Sequence, residues 1–361
     1  MRPTRPAALL GALALGAALL GGCIEDGEPE SGCRATGTDF EWASPSREDD
    51  ERFELTGPGW VGGDSTYSVR LPDDRTLWLF SDSLIGSVTS DGDPRPGMTM
   101  VHNALVTEDE DGRLSTRTGE GPESFFPDPS DSSYYWVQDA QVDGDELVVF
   151  LSLTNQVGEH GFEWERNAIA RVSLPDLEII DITDDTSGGD VAWGAGLMTT
   201  PNHTWIYGIE DREDTKYLHL ARAPAGTVAD PSTWEYRADE GWSEDREDSA
   251  RLTDGVANEL SVSPYEDGYL MISSDTSEPF SPEINAWTAC SPHGPWRRPQ
   301  TIYETPESDP EDHFTYNAHG HPELSGDGEL LISYNVNTFD FDELMDNPTI
   351  YRPKFISLEL E

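Results

Sequence analysis

Asp64, Asp139 and Glu259 each stand ahead of, or early in, an alternating apolar segment, and Asp82 stands at the end of one. A β core has no use for carboxylates at repeated inward positions, because burying an unpaired charge costs several kcal/mol. Brought together, such groups can move protons: neighbouring carboxyls push one another's pKa apart, so that one stays protonated while another is ionised. Residues 317–323 add Asn317, His319 and His321. The two histidines lie two apart, so on a strand they share a face. They read as substrate contacts or as ligands of an axial structural cation, and a satisfied structural histidine is the competing reading of His321. No serine or cysteine nucleophile elbow, phosphate loop or dinucleotide fingerprint occurs, and no cofactor is required by the sequence.

The elements that must position these acids read as strands joined by tight turns, with no convincing amphipathic helix. Five segments repeat one plan of polar start, alternating strand, turn and second apolar strand: residues 63–82, 136–153, 192–210, 257–274 and 316–334. Their turns (Pro72-Asp73-Asp74, Asp143-Gly144-Asp145, Pro201-Asn202, Glu266-Asp267-Gly268, Asp327-Gly328) use residue types that tolerate hairpin φ values. A weaker pair follows each hairpin, as in 103–106 with 113–116, 168–173 with 177–182, 217–223 with 234–237, and 284–290 with 301–303. The period is about 55 to 75 residues, which predicts an all-β fold, a five-bladed β-propeller with four antiparallel strands per blade. Residues 351–359 supply the next strand of the fifth blade, and a strand near 40–43 or 53–55 closes the ring. Two packed β-sandwiches would need an interdomain linker, and none is evident after residue 60. In a propeller the first strand of each blade lines the axis, so Asp64, Asp139, Glu259 and the 317–323 stretch converge at one mouth, with Asp82 facing the same region.

Arg2 and Arg5 precede an apolar or small run over residues 7–22. That is the length of a signal-peptide core and short of the roughly 20 apolar residues that span a bilayer. The run ends in Leu20-Gly21-Gly22-Cys23, which resembles the lipobox of bacterial lipoproteins. That likeness implies a leader over 1–22, lipidation of Cys23, and a place in the cell envelope, on the periplasmic or extracellular side, with the membrane touched through the anchor only. An ordinary secretory leader is the competing reading. Residues 23–38 are rich in Gly, Ser and acid and read as a tether, leaving 39–361 as the propeller domain. The chain carries 71 acidic and 22 basic residues, a net charge of −49. Such a surface repels nucleic acid and anionic headgroups, so neither is an expected partner. It reads as a solvated surface suited to salty water, with specific cation binding as the alternative. Cys33 and Cys290 remain, either as one bridge in an oxidising compartment or as two buried thiols.

Several motifs carry a family likeness. Residues 60–69 (WVGGDSTYSV) with 77–82 (LWLFSD), 258–262 (NELSV), 316–318 (YNA), 321–324 (HPEL), 332–337 (ISYNVN) and 351–355 (YRPKF) resemble a bacterial propeller family long known only as a domain of unknown function, some of whose members are endo-D-arabinanases. It is similar in plan to the arabinanase, xylosidase and levansucrase-type glycosidases. The resemblance spans residues 60–355 and implies a monomeric hydrolase that cleaves furanosidic, arabinan-type polysaccharide. It implies that Asp64 is the base or nucleophile, that Asp139 tunes a pKa and orients the acid, and that Glu259 is the general acid, with Asp82 a further catalytic candidate. Glycoside hydrolysis needs one carboxylic acid on the leaving oxygen and a second carboxylate that attacks or activates water. The related glycosidases carry their acid on blade three, where Ala192-Trp193-Gly194-Ala195-Gly196 offers none. A salt-bridged core glutamate is therefore the competing reading of Glu259. Trp60, Tyr135, Trp136 and Trp193 stand at blade starts, where exposed rings stack on sugars and buried ones belong to the core. Asn258 and Asn317 complete the expected substrate contacts. The rival to an enzyme is a non-catalytic glycan-binding lipoprotein on the same propeller.

Overall fold

The computed structural model describes residues 33–360 apart from 122, 159–160, 186–188, 213–214 and 310. The leader and Cys23 lie outside the described residues. The chain folds as a five-bladed β-propeller. Blade one comprises Tyr67–Arg70, Thr76–Phe80, Ala104–Glu108 and Leu114–Arg117. Blade two comprises Ser133–Asp143, Glu146–Val157, Gly161–Ser173 and Ile179–Asp184. Blade three begins with Val191–Thr199, His203–Arg212 and Thr215–Pro224, and blade four is Leu260–Tyr265, Gly268–Ser274, Glu283–Ala289 and Gln300–Glu304.

Blade five takes His313–Gly320, Glu329–Thr338 and Lys354–Glu359 from the C-terminal end of the chain and its fourth strand, Ser44–Pro45, from the N-terminal end. The closing strand thus follows directly on residues 40–43. Five apolar clusters, one between each pair of neighbouring blades, explain why the ring closes. In blade two, Leu147, Val149 and Leu151 face blade one, while Val148 and Phe150 face blade three. That split is the period-two alternation of a strand buried on both faces. The seam between the first and last blades packs Trp78 and Phe80 against Leu331 and Phe355 around Phe53.

Hairpin turns fall where their residue types allow, with positive φ at Asp74, Gly144, Glu266 and Gly328. Two features differ from the sequence reading. Residues 33–38 are docked, not a free tether: Cys33 is disulfide-bonded to Cys290, 257 residues away. The Arg34 and Ala35 amides donate to Asp267 Oδ1, and Ala35 is buried against blade four. The segment before blade one is also a strand of its own, Gly59–Gly63, which forms a small sheet with Ser83–Gly86 and Thr99–Val101. Among the described residues the α-helices are two six-residue pieces, Arg47–Arg52 and Phe341–Asp346, and no helix is long and apolar enough to cross a membrane.

Candidate active site at the propeller mouth

The inner strands break at one level around the axis. Register shifts leave residues 138–139, 194–195 and 317–318 unpaired in blades two, three and five. In blade one, Ser65 and Thr66 take φ of 71° and 40° immediately before the inner strand. Bulges of this kind re-aim side chains. Here they release polar residues toward the mouth from strands whose remaining side chains are committed to inter-blade packing.

Asp64 sits at the blade-one break. Its amide donates to the Asp82 carbonyl at 3.2 Å and its carbonyl accepts from the Ser81 amide at 3.0 Å, so Asp64 and Asp82 are backbone neighbours. A Cβ on Gly62 would lie 2.9 Å from the Tyr351 carbonyl oxygen. The absence of one lets the turn Pro348–Tyr351 approach and deliver Tyr351. The hydroxyls of Tyr351 and Tyr316 both donate to Asp64 Oδ2 at 2.7 Å, and Asn337 Nδ2 donates to the Tyr316 oxygen. Asp64 Oδ1 is buried without a hydrogen-bond partner. Burial, and then the charge of Asp82, push the Asp64 carboxyl up to about 7 against the pull of the two tyrosines.

Glu259 directly precedes the inner strand of blade four and is 5 % exposed. Ser65 Oγ donates to its Oε1 at 2.7 Å and lies 2.9 Å from Ser81 Oγ, which accepts from the Val137 amide. Glu259 Oε2 is buried without a hydrogen bond of ordinary length. Burial holds this carboxyl well above the usual carboxylate range, and Asp64 and Asp139 push it further in the same direction. Burial and the acidic neighbours thus favour the protonated form of this carboxyl.

Asp139 lies at the blade-two bulge and is differently placed. Its Oδ1 accepts from the Ala140 amide at 2.7 Å and its Oδ2 from the Leu197 amide of blade three at 2.6 Å. Burial outweighs these two bonds and moves its pKa up to about 7. Asp82 Oδ1 is met by Trp136 Nε1 at 2.9 Å and by His102 Nδ1 at 3.1 Å, and His102 stacks on Tyr134. Burial disfavours the imidazolium of His102, but the bond to Asp82 more than offsets it and raises the pKa.

The structure does not bring all the predicted substrate contacts to the mouth. Trp60 and Trp193 are buried in inter-blade clusters and Tyr135 in another, so none of these rings presents a face to solvent. Trp136 is half-buried, and its ring packs on the exposed Phe162. His321 is fully buried between Ser68 Oγ at 2.6 Å and Ser333 Oγ at 2.8 Å, so both ring nitrogens are engaged. His319 is buried edge-on to Tyr67, with Nδ1 unpartnered, and burial holds it down to about 3. Asn258 is exposed and accepts from Lys216 Nζ, and Asn317 is half-buried at the blade-five bulge with φ 56°. Among the described residues no group of three or more His, Cys, Asp or Glu side chains is arranged to hold a metal ion. Sequence reasoning assigned no role to Tyr316, Tyr351, Ser65, Ser81 or His102. The only signal for the tyrosines is that each opens a motif quoted above for its family likeness.

Comparison with solved structures places the fold in known company. A candidate hydrolase from Bacteroides ovatus is similar at a TM-score of 0.75 and 18% identity, over 89% of this chain and 92% of that one. A xylan β-1,4-xylosidase from Bacillus halodurans is similar at a TM-score of 0.51 and 9% identity, over 82% of this chain and 52% of the xylosidase, so this chain spans about half of that enzyme's length. At these identities the likeness is one of fold. Among curated proteins, none matches this chain. Over residues 50–359 the sequence matches a domain of unknown function, DUF5005, and the chain belongs to that family.

Proposed function

We propose that this chain is a lipid-anchored glycoside hydrolase of the cell envelope that cleaves furanosidic, arabinan-type polysaccharide. The observation that carries the reading is a buried Glu259, whose pKa is raised, sharing a mouth with Asp64, one of whose oxygens is buried and unpartnered. Glu259 donates its proton to the leaving glycosidic oxygen. Asp64 Oδ1 either attacks the anomeric carbon or takes a proton from the attacking water. Tyr316 and Tyr351 hold Oδ2 and so fix which oxygen points away from them. Asp139 acts through its charge, which helps to keep Glu259 protonated, while its two amide bonds fix its position. A propeller shared with a xylosidase supports the reading, as does a strongly acidic surface, which favours a neutral polymer over an anionic one.

Product release from a panel of arabinans and other furanose polymers tests the activity. Soluble fragments are expected from at least one, and none from any would overturn it. Mass spectrometry of the exported protein tests the anchor, an unmodified Cys23 being the adverse result. A second reading, a glycan-binding propeller without catalysis, is favoured by the 5 % exposure of Glu259, since a general acid must reach the leaving oxygen. Polymer binding without cleavage would establish it.

A further inference from the structure

We propose that Phe280, Phe314 and Phe339 form a stacking subsite that holds a segment of neutral polysaccharide beside Asp64, on the side of the mouth made by blades four and five. Phe280 lies between the second and third strands of blade four, Phe339 follows the second strand of blade five, and Phe314 is near the start of that blade's inner strand. In an antiparallel blade the start of the first strand and the end of the second lie at one end. All three rings therefore share the end that carries Asp64 and Asp82.

The rings form one contact group. Phe314 is centred 4.6 Å from Phe280, 4.8 Å from Phe339 and 5.3 Å from Tyr316, and Tyr316 donates to Asp64. The patch is thus continuous with the candidate catalytic carboxylate through a single side chain. Phe280 and Phe339 are 54 % and 51 % exposed, an apolar face on a chain of net charge −49. Phe280 also has φ 55°, a conformation that is strained for a bulky L-residue and recurs at ligand clamps. Burial does not offset that strain, because more than half of the residue faces water. What suits such a face is a flat ligand with C–H groups on its faces and hydroxyls at its edges, which is a sugar ring. The flanking Glu278, Glu311, Asp312, Asp340 and Asp342 turn away anionic ligands, and a second copy of so acidic a chain is repelled as well.

The assignment rests on the hydrolase reading for its place next to the scissile bond, so binding and cleavage are measured separately. Affinity electrophoresis of the whole protein in linear arabinan, galactan and xylan gives binding, and reducing-sugar release gives cleavage. Phe280→Ala and Phe339→Ala are compared with wild type and with Trp42→Ala, which removes another ring, 62 % exposed. Each phenylalanine variant is expected to weaken binding of the retained polymer about tenfold, and Trp42→Ala to leave it unchanged. Phe339→Ala, whose φ is ordinary, preserves the test if Phe280→Ala fails to fold. If both phenylalanine variants bind as wild type does, or if wild type binds none of the three polymers, the subsite is wrong. If wild type binds without cleaving and the variants bind more weakly, the subsite stands and the hydrolase reading falls.

Discussion

Two glutamates of this protein are similarly shielded from solvent, and their pKa values move in opposite directions. Glu210, on the second strand of blade three, is 6 % exposed, and Glu259 is 5 % exposed. Glu210 is met by Arg251, by Arg212 at 2.8 Å, and by the ring of His219 at 3.5 Å. The hydrogen bond from Arg251, seconded by Arg212, outweighs burial and holds its carboxyl down to about 2. Glu259 has a serine hydroxyl and two other acids for company, and its pKa goes the other way. Burial raises both carboxyls; at Glu210 the arginine bonds outweigh it, and at Glu259 nothing of that strength opposes it. In a chain with 22 basic residues against 71 acidic ones, Glu210 at the blade-three rim has two arginines, whereas among the described residues the hydrogen bonds to Asp64, Asp82, Asp139 and Glu259 come from no Arg or Lys. The rim pair acts as a fastener. At the mouth, protons substitute for cations, which is what acid catalysis requires.

Asp64→Asn is the harshest test of that contrast. The amide oxygen can keep both tyrosine bonds while the NH2 replaces the unpartnered Oδ1, so the fold should survive. Loss of the base or nucleophile should cut turnover by at least about a thousandfold on every substrate. Stability should move oppositely. The Asp64 pKa rises from 3.8 to about 7 in the fold, so its contribution is fully present below pH 3.8 and is lost as pH rises to 7. The variant should therefore melt higher than wild type at pH 8 and no higher at pH 4. A fall in melting temperature at pH 8 would show that the Asp64 charge is not a burden to the fold.

Glu259→Gln separates proton donation from the rest. Polymer turnover should drop by about a hundredfold or more, while an activated aryl glycoside, whose leaving group needs little protonation, should lose far less. In wild type, kcat/KM should rise through pH 7 as the Asp64 site ionises, and the Glu259 site, raised by burial, should set the alkaline limb as it loses its proton. Equal losses on both substrates would remove Glu259 from the acid role.

Glu210→Gln is the counterpart at the rim. It leaves Arg212 and Arg251 without their shared carboxylate. Because both arginines are about half exposed, the loss should be about 1–3 kcal/mol by denaturant titration, with hydrolysis unchanged. In wild type this contribution is present above about pH 4.5 and disappears as pH falls toward 2. A change in kcat would mean that the two regions are coupled.

The blades were legible because each strand pair alternates and each turn is built from Asp, Gly, Asn, Glu or Pro, with positive φ at Asp74, Gly144, Glu266 and Gly328. Asp64 and Glu259 stood out because a carboxylate in front of an apolar inner strand contradicts the pattern around it. What defines their states was not legible. Tyr316 and Tyr351 lie 252 and 287 residues from Asp64, and only ring closure brings them to it. Ser65, which holds Glu259, is 194 residues from it. Trp60 and Trp193 misled for the converse reason: a tryptophan at a strand start has the same local sequence whether its ring faces solvent or the neighbouring blade. Phe280 and Phe339 drew no notice because each belongs to a different loop, and their patch exists only across two blades.

Salt gives the smallest effect and the finest discrimination. Screening weakens the Glu210 pairs, whose arginines are exposed, and so lowers stability locally. It also relieves repulsion among 71 carboxylates opposed by only 22 cations, which raises stability throughout the chain. The second effect involves many more groups, so the melting temperature should climb by a few degrees between about 0.05 and 1 M NaCl. Sodium chloride is preferable to sulfate, which would add apolar stabilisation of its own. In Glu210→Gln the opposing local contribution is gone, so its rise with salt should be steeper than that of wild type. In Asp64→Asn one repulsive charge at the mouth is gone, and the rise should be slightly shallower. Parallel salt curves for all three proteins would mean that neither region senses the ionic medium, and that the bulk surface alone sets the response.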